Sequence, residues 1–282
     1  MSASVSVLIL TKNEERDLPG CLESVNWSDD VHVFDSFSED RTVEIAQSFG
    51  ATVTQRAFDN WSSHQNWGLA NIPFRHPWVY YSDADERVPA ALAEAVCRAV
   101  ESARDEVAFR VQRRDYLEGR WLKHVATSPK NIRLFRPEKM RYERLINPLP
   151  IPDGPIGELR EHFDHYPFSK GLSHWLDRHN SYSTFEARQI VENRRRKATF
   201  SVGKAFFCKD FNERRYHQKE LFYRLPMRPA VKFFLLYFLK RGFLDGPAGY
   251  TYARLQSIYE YMIVLKTREL EEGLRAGLKG EG

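Results

Sequence analysis

Residues 78–88 read Trp-Val-Tyr-Tyr-Ser-Asp-Ala-Asp-Glu-Arg-Val, "WVYYSDADERV". Four large residues, three of them aromatic, run directly into a cluster of Asp83, Asp85 and Glu86. A run of that kind is a buried strand, and it ends in three anions that something must neutralise. Asp-x-Asp by itself is weak evidence, since chance supplies about one in a chain of this length. Its bland reading is a solvated turn with a helix cap. Position is what raises its value.

Working towards the N-terminus, the same texture recurs. "SVSVLILT" reads as a first strand, followed by "NEERDLPGCLESV", where Leu18, Leu22 and Val25 share a helical face. "DVHVFDS" is a second strand and "SEDRTVEIAQSFG" a second helix, with Ser38 and Thr42 near its start and Gly50 at its C-terminal cap. "ATVTQRAF" predicts a third strand, "WSSHQNWGLANI" a helix, and "PAALAEAVCRAVESA" a helix with proline in its first turn. This alternation indicates a parallel α/β sheet covered on both faces. In such sheets ligands bind outside the carboxyl ends of the strands. Three polar motifs land there: "TKNEE" (11–15), "DSFSEDRT" (35–42) and "SDADE" (82–86).

Hard oxygen donors at that edge select Mg2+ or Mn2+, which bridge carboxylates and phosphates. The chain has neither Gly-x-x-x-x-Gly-Lys-Ser/Thr nor Gly-x-Gly-x-x-Gly, so a metal-held diphosphate remains the reading.

Beyond residue 105 the pattern changes. "VAFRVQRRDYLEGRW" and "KNIRLFRPEKMRYE" predict strands of a mixed region, residues 147–158 a Pro/Gly-rich loop, and the chain from His174 a helical part, with "RRRK" (194–197) closing its first segment and further helices at 229–242 and 247–275. The chain has 282 residues, 42% hydrophobic and 28% charged, so it can bury a core and is not generally disordered. Cys21, Cys97 and Cys208 form no Cys-x-x-Cys pair; this argues against a disulfide framework or zinc site and suits a reducing compartment. The N-terminus lacks a basic region before its apolar run and reads as strand, not leader. The longest apolar run, "VKFFLLYFL" (231–239), is half the length of a membrane span.

Taken in order, "VLILTKNEERDLPGCLESV", "VFDSFSEDRTVEIAQSFGA", "HQNWGLA" and "WVYYSDADERV" resemble glycosyltransferase family 2, the inverting enzymes of GT-A fold. "RLFRPEKMRYERL", "HWLDRHNSYSTFEA" and "RPAVKFFLLYFLKRGFLDGPAGYTYA" resemble a narrower branch, the lipopolysaccharide core glucosyltransferases and their relatives. The resemblance implies an open, mixed, mainly parallel α/β sheet flanked by helices (the nucleotide-diphospho-sugar transferase fold), with a C-terminal helical extension. It divides the chain into a catalytic domain at 1–170 and a basic, aromatic extension at 171–282 that meets acceptor or membrane.

It further implies a nucleotide-sugar donor, UDP by the family's habit with GDP open, a glycolipid or saccharide acceptor, and Mg2+ or Mn2+. By position, Asp35 would contact the nucleobase, Asn13 and Glu14 would line the nucleoside pocket, Thr11, Ser36, Gln65 and Asn66 would be further donor contacts, Asp83 would meet ribose or metal-side phosphate, and Asp85 would ligate the metal with Asp83. The alternative for Asp35 is a helix cap, and for Gln65 and Asn66 a solvated helix face. The family's usual base is an aspartate in a Glu-Asp pair, absent here; the branch has His-Glu where this chain has Tyr142-Glu143. Glu143 is the expected base, with Asp153 and Glu158 as alternatives; the bland reading of Glu143 is a surface salt bridge to Arg141 or Arg144.

In the C-terminal third, Arg178, His179 and Tyr182 fall near one helical face, as acceptor contacts or as a polar network flanking the core. Its basic and aromatic clusters suit an anionic membrane surface reached through an amphipathic helix flanked by Arg228, Lys232, Lys240 and Arg241. No nucleic-acid motif is present. The expectation is a cytoplasmic protein, peripheral on the inner face of the membrane. Rival readings are transfer to a polyisoprenyl phosphate, which needs no base, a sugar nucleotidyltransferase, disfavoured by Lys12-Asn13-Glu14-Glu15 where a Gly-rich loop belongs, and an inactive nucleotide-sugar-binding protein.

Overall fold

The computed structural model describes residues 4–143, 148–196, 199–209 and 211–279. Arg144 and Lys197 therefore lie outside the described residues. The chain forms two compact units, residues 1–121 with 128–170 and residues 122–127 with 171–282.

The first unit is built on a nine-stranded mixed sheet. Strands β1 (Val5–Thr11), β2 (Val31–Asp35), β3 (Thr52–Gln55) and β4 (Trp78–Asp83) alternate with helices α1 (Leu18–Ser24), α2 (Thr42–Ser48) and α3 (Trp61–Asn71). All three pairings among these strands are parallel, in the order β3-β2-β1-β4. The register sets Thr11 beside Asp35 and Leu10 beside Asp83, so the three motifs do share the carboxyl edge. Strand alternation supplies two cores. Val5, Val7 and Ile9 face Leu18, Leu22 and, from α4 (Ala90–Ser102), Leu92 and Val96. Leu8 faces the other way, with Phe34, Val79 and Ile72. Gly50, at φ +78°, ends α2 in the left-handed conformation that suits glycine.

The sheet continues through β8 (Lys130–Phe135), β6 (Ala108–Leu117), β11 (Ile156–His165) and the two-residue β5 (Glu86–Arg87), with β7 (Arg120–Trp121) paired to β6. Here β4–β8 and β6–β8 are antiparallel while β6–β11 is parallel. The stretch 147–158 is not a plain loop as expected. It contains β10 (Leu149–Pro152), paired with β9 (Met140–Glu143), and the first residues of β11. Pro150 and Pro152 are tolerated because β10 pairs on one side only.

The second unit is helical. Helix α5 (Gly171–Arg195) begins three residues earlier than expected, on Gly171 itself, at φ +87°. Two helices missed in the sequence, α6 (Val202–Phe207) and α7 (Phe211–Phe222), follow. The expected 229–242 helix is α8 (Arg228–Phe234), a π turn at Leu235–Leu239 and a 3-10 turn at Gly242–Asp245; α9 (Gly246–Lys279) ends the described chain. Residues 122–127 join this unit because buried Asp245 accepts the backbone N–H groups of His124 at 2.9 Å and Val125 at 2.8 Å. Among the described residues no helix is long and apolar enough to cross a membrane.

Candidate functional site

The carboxyl edge of β1 and β2 is laced into one rigid rim. Asn13 has a left-handed backbone, φ +56°. Its N–H donates to Ser38 Oγ at 2.8 Å, and its Oδ1 accepts from Glu39 N at 2.8 Å. Glu14 N donates to Thr42 Oγ1 at 2.7 Å. Asp35 is fully buried. It accepts from Thr11 Oγ1, from Gln55 Nε2 at 2.9 Å, and from both the amide and the hydroxyl of Ser38. Both of its oxygens already accept two protein donors, so a nucleobase contact would have to replace one of them. Ser36 Oγ sits 3.3 Å from His64 Nε2. His64 stacks on Phe34 at 4.1 Å between ring centroids, and burial with the neighbouring Arg56 holds it down to about 4, hence neutral.

Gln65 and Asn66 are not a solvated face. Gln65 is buried and donates to Tyr81 Oη at 3.3 Å. Asn66 bonds both backbone groups of Tyr142, accepting at 2.8 Å and donating at 2.9 Å. Its amide fastens β9 to α3, a different task from the expected donor contact.

At the end of β4 the two aspartates differ. Asp83 accepts from Tyr81 Oη at 2.7 Å and pairs with Arg133 Nη2 at 3.0 Å. The same guanidinium pairs with buried Glu86 and lies over the rings of Tyr81 and Phe163 at 4.8 and 4.9 Å. Burial pushes Glu86 up, with Arg133 pulling against it. Asp85 faces His165 Nε2 at 3.3 Å, and His165 Nδ1 lies 2.6 Å from Asp115 Oδ1. Burial lowers the His165 pKa, but hydrogen bonds to Asp115 and Asp85 outweigh it and lift it to about 10. Glu14 is raised to about 7 by burial, against the pull of Lys170 at 2.6 Å and with Asp85 adding repulsion. Its Oε2 is buried without a partner.

Among the described residues no three His, Cys, Asp or Glu side chains already converge as a metal cage. Asp85 with His165 is a pair of the right kind nonetheless. A ligating histidine characteristically gives its other ring nitrogen to a carboxylate, as His165 does to Asp115. Mg2+ and Mn2+ take their remaining ligands from water and substrate phosphate. Protonated, His165 is a counter-ion to Asp85; losing that proton makes it a ligand. The residues therefore fit a divalent cation, with Asp85 central and Asp83, partly engaged, beside it. His165, Asp115, Arg133 and Lys170 were not legible as site residues, because cross-strand register brings His165, with Asp115 behind it, to Asp85 and Arg133 to Asp83, and the turn after β11 brings Lys170 to Glu14.

The three candidate bases separate. Glu158 lies seven residues up β11 from His165, about 23 Å at ~3.3 Å per residue, and pairs with Lys130. Asp153 follows Pro152, which lies opposite Met140, so it sits at the far end of the β9–β10 hairpin from Glu143. Glu143 is next to Tyr142, whose hydroxyl feels the charges of Arg133 and Asp83. Its carboxylate is exposed and pairs with Arg141 at 3.3 Å. Such an exposed pair is worth ~1 kcal/mol or less and does not hold it in place.

In the second unit, Arg178 and Tyr182 flank His179, which stacks on Trp175 at 3.6 Å, donates from Nδ1 to the Trp175 carbonyl at 2.8 Å, and meets Tyr182 and Tyr259 edge-on. This is the core-flanking alternative for His179; Tyr182 remains half exposed.

The chain is similar to known glycosyltransferases. The family model "Glycosyl transferase family 2" matches residues 6–159. The chain is 26% identical over 272 residues to the lipopolysaccharide core biosynthesis glycosyltransferase LpsC of Rhizobium meliloti (strain 1021), covering 93% of this chain and 91% of LpsC. An uncharacterized glycosyltransferase of Rickettsia bellii is 32% identical over 97 residues, 34% of this chain and 32% of that protein. A solved structure of glucosyl-3-phosphoglycerate synthase from Mycobacterium tuberculosis, in complex with Mn2+, UDP and glucosyl-3-phosphoglycerate, is similar at TM-score 0.35 and 20% identity, over 40% of this chain and 44% of that one. With more than half its length matched by the family model, the chain belongs to glycosyltransferase family 2, and its helix-flanked mixed sheet is of the GT-A kind.

Proposed function

We propose that the protein is an inverting, metal-dependent glycosyltransferase that moves a hexose from a nucleoside-diphosphate sugar, UDP-linked for preference, to a hydroxyl of a glycolipid of the lipopolysaccharide-core type. The observation that carries this reading is the Asp85–His165–Asp115 chain at the carboxyl edge of a parallel sheet, beside Asp83 and Glu14. The similarity to LpsC supports the acceptor class.

The roles follow from charge. Asp85, with His165 and Asp83 beside it, would hold a Mg2+ or Mn2+ ion, which when bound would supply positive charge against the departing diphosphate. Asp115 fixes the His165 ring, and Arg133 fixes Asp83. The rim of Thr11, Asn13, Asp35 and Ser36 shapes the nucleoside pocket. Glu143 takes the proton of the attacking hydroxyl, on the face of the sugar opposite the leaving group. In-line attack inverts the anomeric carbon. A lipid-linked acceptor places the enzyme at a membrane surface, on the cytoplasmic side where nucleotide sugars are made.

The test is calorimetric titration of the protein with UDP, GDP and their sugar conjugates, with and without Mn2+, for the wild type and Asp85→Ala. Metal-dependent binding of one nucleoside diphosphate, lost in Asp85→Ala, is the expected result. Binding that ignores both the metal and the substitution would sink the metal-dependent mechanism, and no binding at all would sink the donor assignment.

A further inference from the structure

We propose that the corner joining α8 to α9, residues 234–244, is a preformed docking surface for anionic lipid. This deepens the reading of a lipid-linked acceptor and rests on it for its purpose, though not for its test. The sequence pointed to an amphipathic helix flanked by four cations. The structure rearranges that picture. Arg228 is buried and paired with Glu260 at 3.4 Å, and Lys232 lies against the Phe222 ring at 5.7 Å. Neither is offered to a headgroup. The exposed apolar side chains gather at the turn instead.

Phe234, Phe238, Leu239, Phe243 and Leu244 are all exposed, with Leu239 at 65%. The aromatic ones belong to one cluster, with Leu239 and Leu244 next to Phe238 and Phe243 in the chain. Phe234 touches Phe238 at 5.3 Å between centroids, Phe238 touches Tyr237 at 5.2 Å, and Tyr237 reaches Phe243 at 6.3 Å and Tyr250 at 5.7 Å. Apolar patches of this kind on a folded surface mark interaction sites. The backbone beneath is held tightly. Asp245 binds the amides of His124 and Val125, Arg241 turns the chain at φ +59°, and a Cβ on Gly249 would strike the Gly242 carbonyl oxygen. The aromatics are therefore presented on a fixed platform.

Charge selects the occupant. Residues 221–244 contain five Lys and Arg and no Asp or Glu, and residues 171–282 carry 21 Lys and Arg against 12 Asp and Glu. Lys240 and Arg241 are exposed beside the aromatic cluster. A second copy of so basic a surface would repel the first. A layer of anionic headgroups attracts it, while the aromatic rings settle at the boundary between headgroup and acyl chain. No described helix can span a bilayer, so the contact is shallow.

Vesicle co-sedimentation with the whole protein tests this. The probes are phosphatidylcholine vesicles with and without about a third phosphatidylglycerol, at low and high salt. The wild type is expected on the phosphatidylglycerol vesicles, with binding weakened by salt. Phe238→Ser with Leu239→Ser, and separately Lys240→Glu with Arg241→Glu, are each expected to lose on the order of tenfold in partitioning. All four side chains are exposed, and thermal unfolding checks that the variants stay folded. A wild type that ignores phosphatidylglycerol vesicles, or variants that bind as the wild type does, overturns the proposal. So does a concentration-dependent dimer abolished by the same substitutions, which would give the corner to a second copy. Mn2+-dependent binding of UDP in lipid-free buffer is read in parallel by calorimetry. Its absence would count against the glycosyltransferase mechanism and leave the lipid result standing.

Discussion

His165 Nε2 lies 3.3 Å from Asp85 Oδ2, and the same ring contacts Asp115 through Nδ1 at 2.6 Å. The three residues come from the end of β11, the turn after β4 and the body of β6. Asp115 pairs with the His165 ring and with Arg113, so in the proposed mechanism it acts through the histidine. Asp115→Asn is expected to weaken Mn2+ binding by about 10–100-fold while leaving metal-free nucleotide binding in place. Calorimetry in the two conditions reads the split. A variant that loses both equally would reduce Asp115 to a folding residue.

Arg133 is the counter-ion of both Asp83 and Glu86, under a tenth exposed. Arg133→Met leaves Glu86 buried without its cation and should cost about 3–5 kcal/mol in urea unfolding. Arg133→Met combined with Glu86→Leu should recover most of that loss, because the buried charge goes with its partner. Failure of the double variant to recover would argue that packing over Tyr81 and Phe163 is what Arg133 provides.

Glu143→Gln should lower kcat about 10^2–10^4-fold, with the KM for the donor little changed. Steady-state kinetics with a hydroxyl acceptor decide it. Unaltered kcat would point to an acceptor that is already ionised, such as a polyisoprenyl phosphate.

Glu14 predicts a pH effect. Burial raises its folded pKa from 4.5 to about 7, so between those values the folded state holds more protons than the unfolded one. Its contribution therefore favours the fold at pH 4.5 and below, and is lost as pH rises to 7 and above. Glu14→Gln removes this slope. In metal-free buffer, the Tm of Glu14→Gln relative to wild type should be higher at pH 8 than at pH 5. A constant difference across that range would show that Glu14 titrates normally.

Much of the first unit was legible in the sequence because its information is local. Continuous apolar runs at β1, β2 and β4, separated by helical spacing and by Gly50, define strands and helices, and their alternation implies the parallel order that puts residues 11–15, 35–42 and 82–86 on one edge. Other features defeated local reading. Prolines hid β10, α6 is too short at six residues to show a helical period, and the polar composition of α7 left no clear stripe. The sequence alone therefore determined the family, the sheet edge and the aspartates of "SDADE". The tertiary structure decided which side chains complete that edge. His165, backed by Asp115, reaches Asp85, and Arg133 reaches Asp83, through pairing among β4, β5, β6, β8 and β11. Partners across strands far apart in the chain are set by register, and periodicity within a single strand carries no information about register between two.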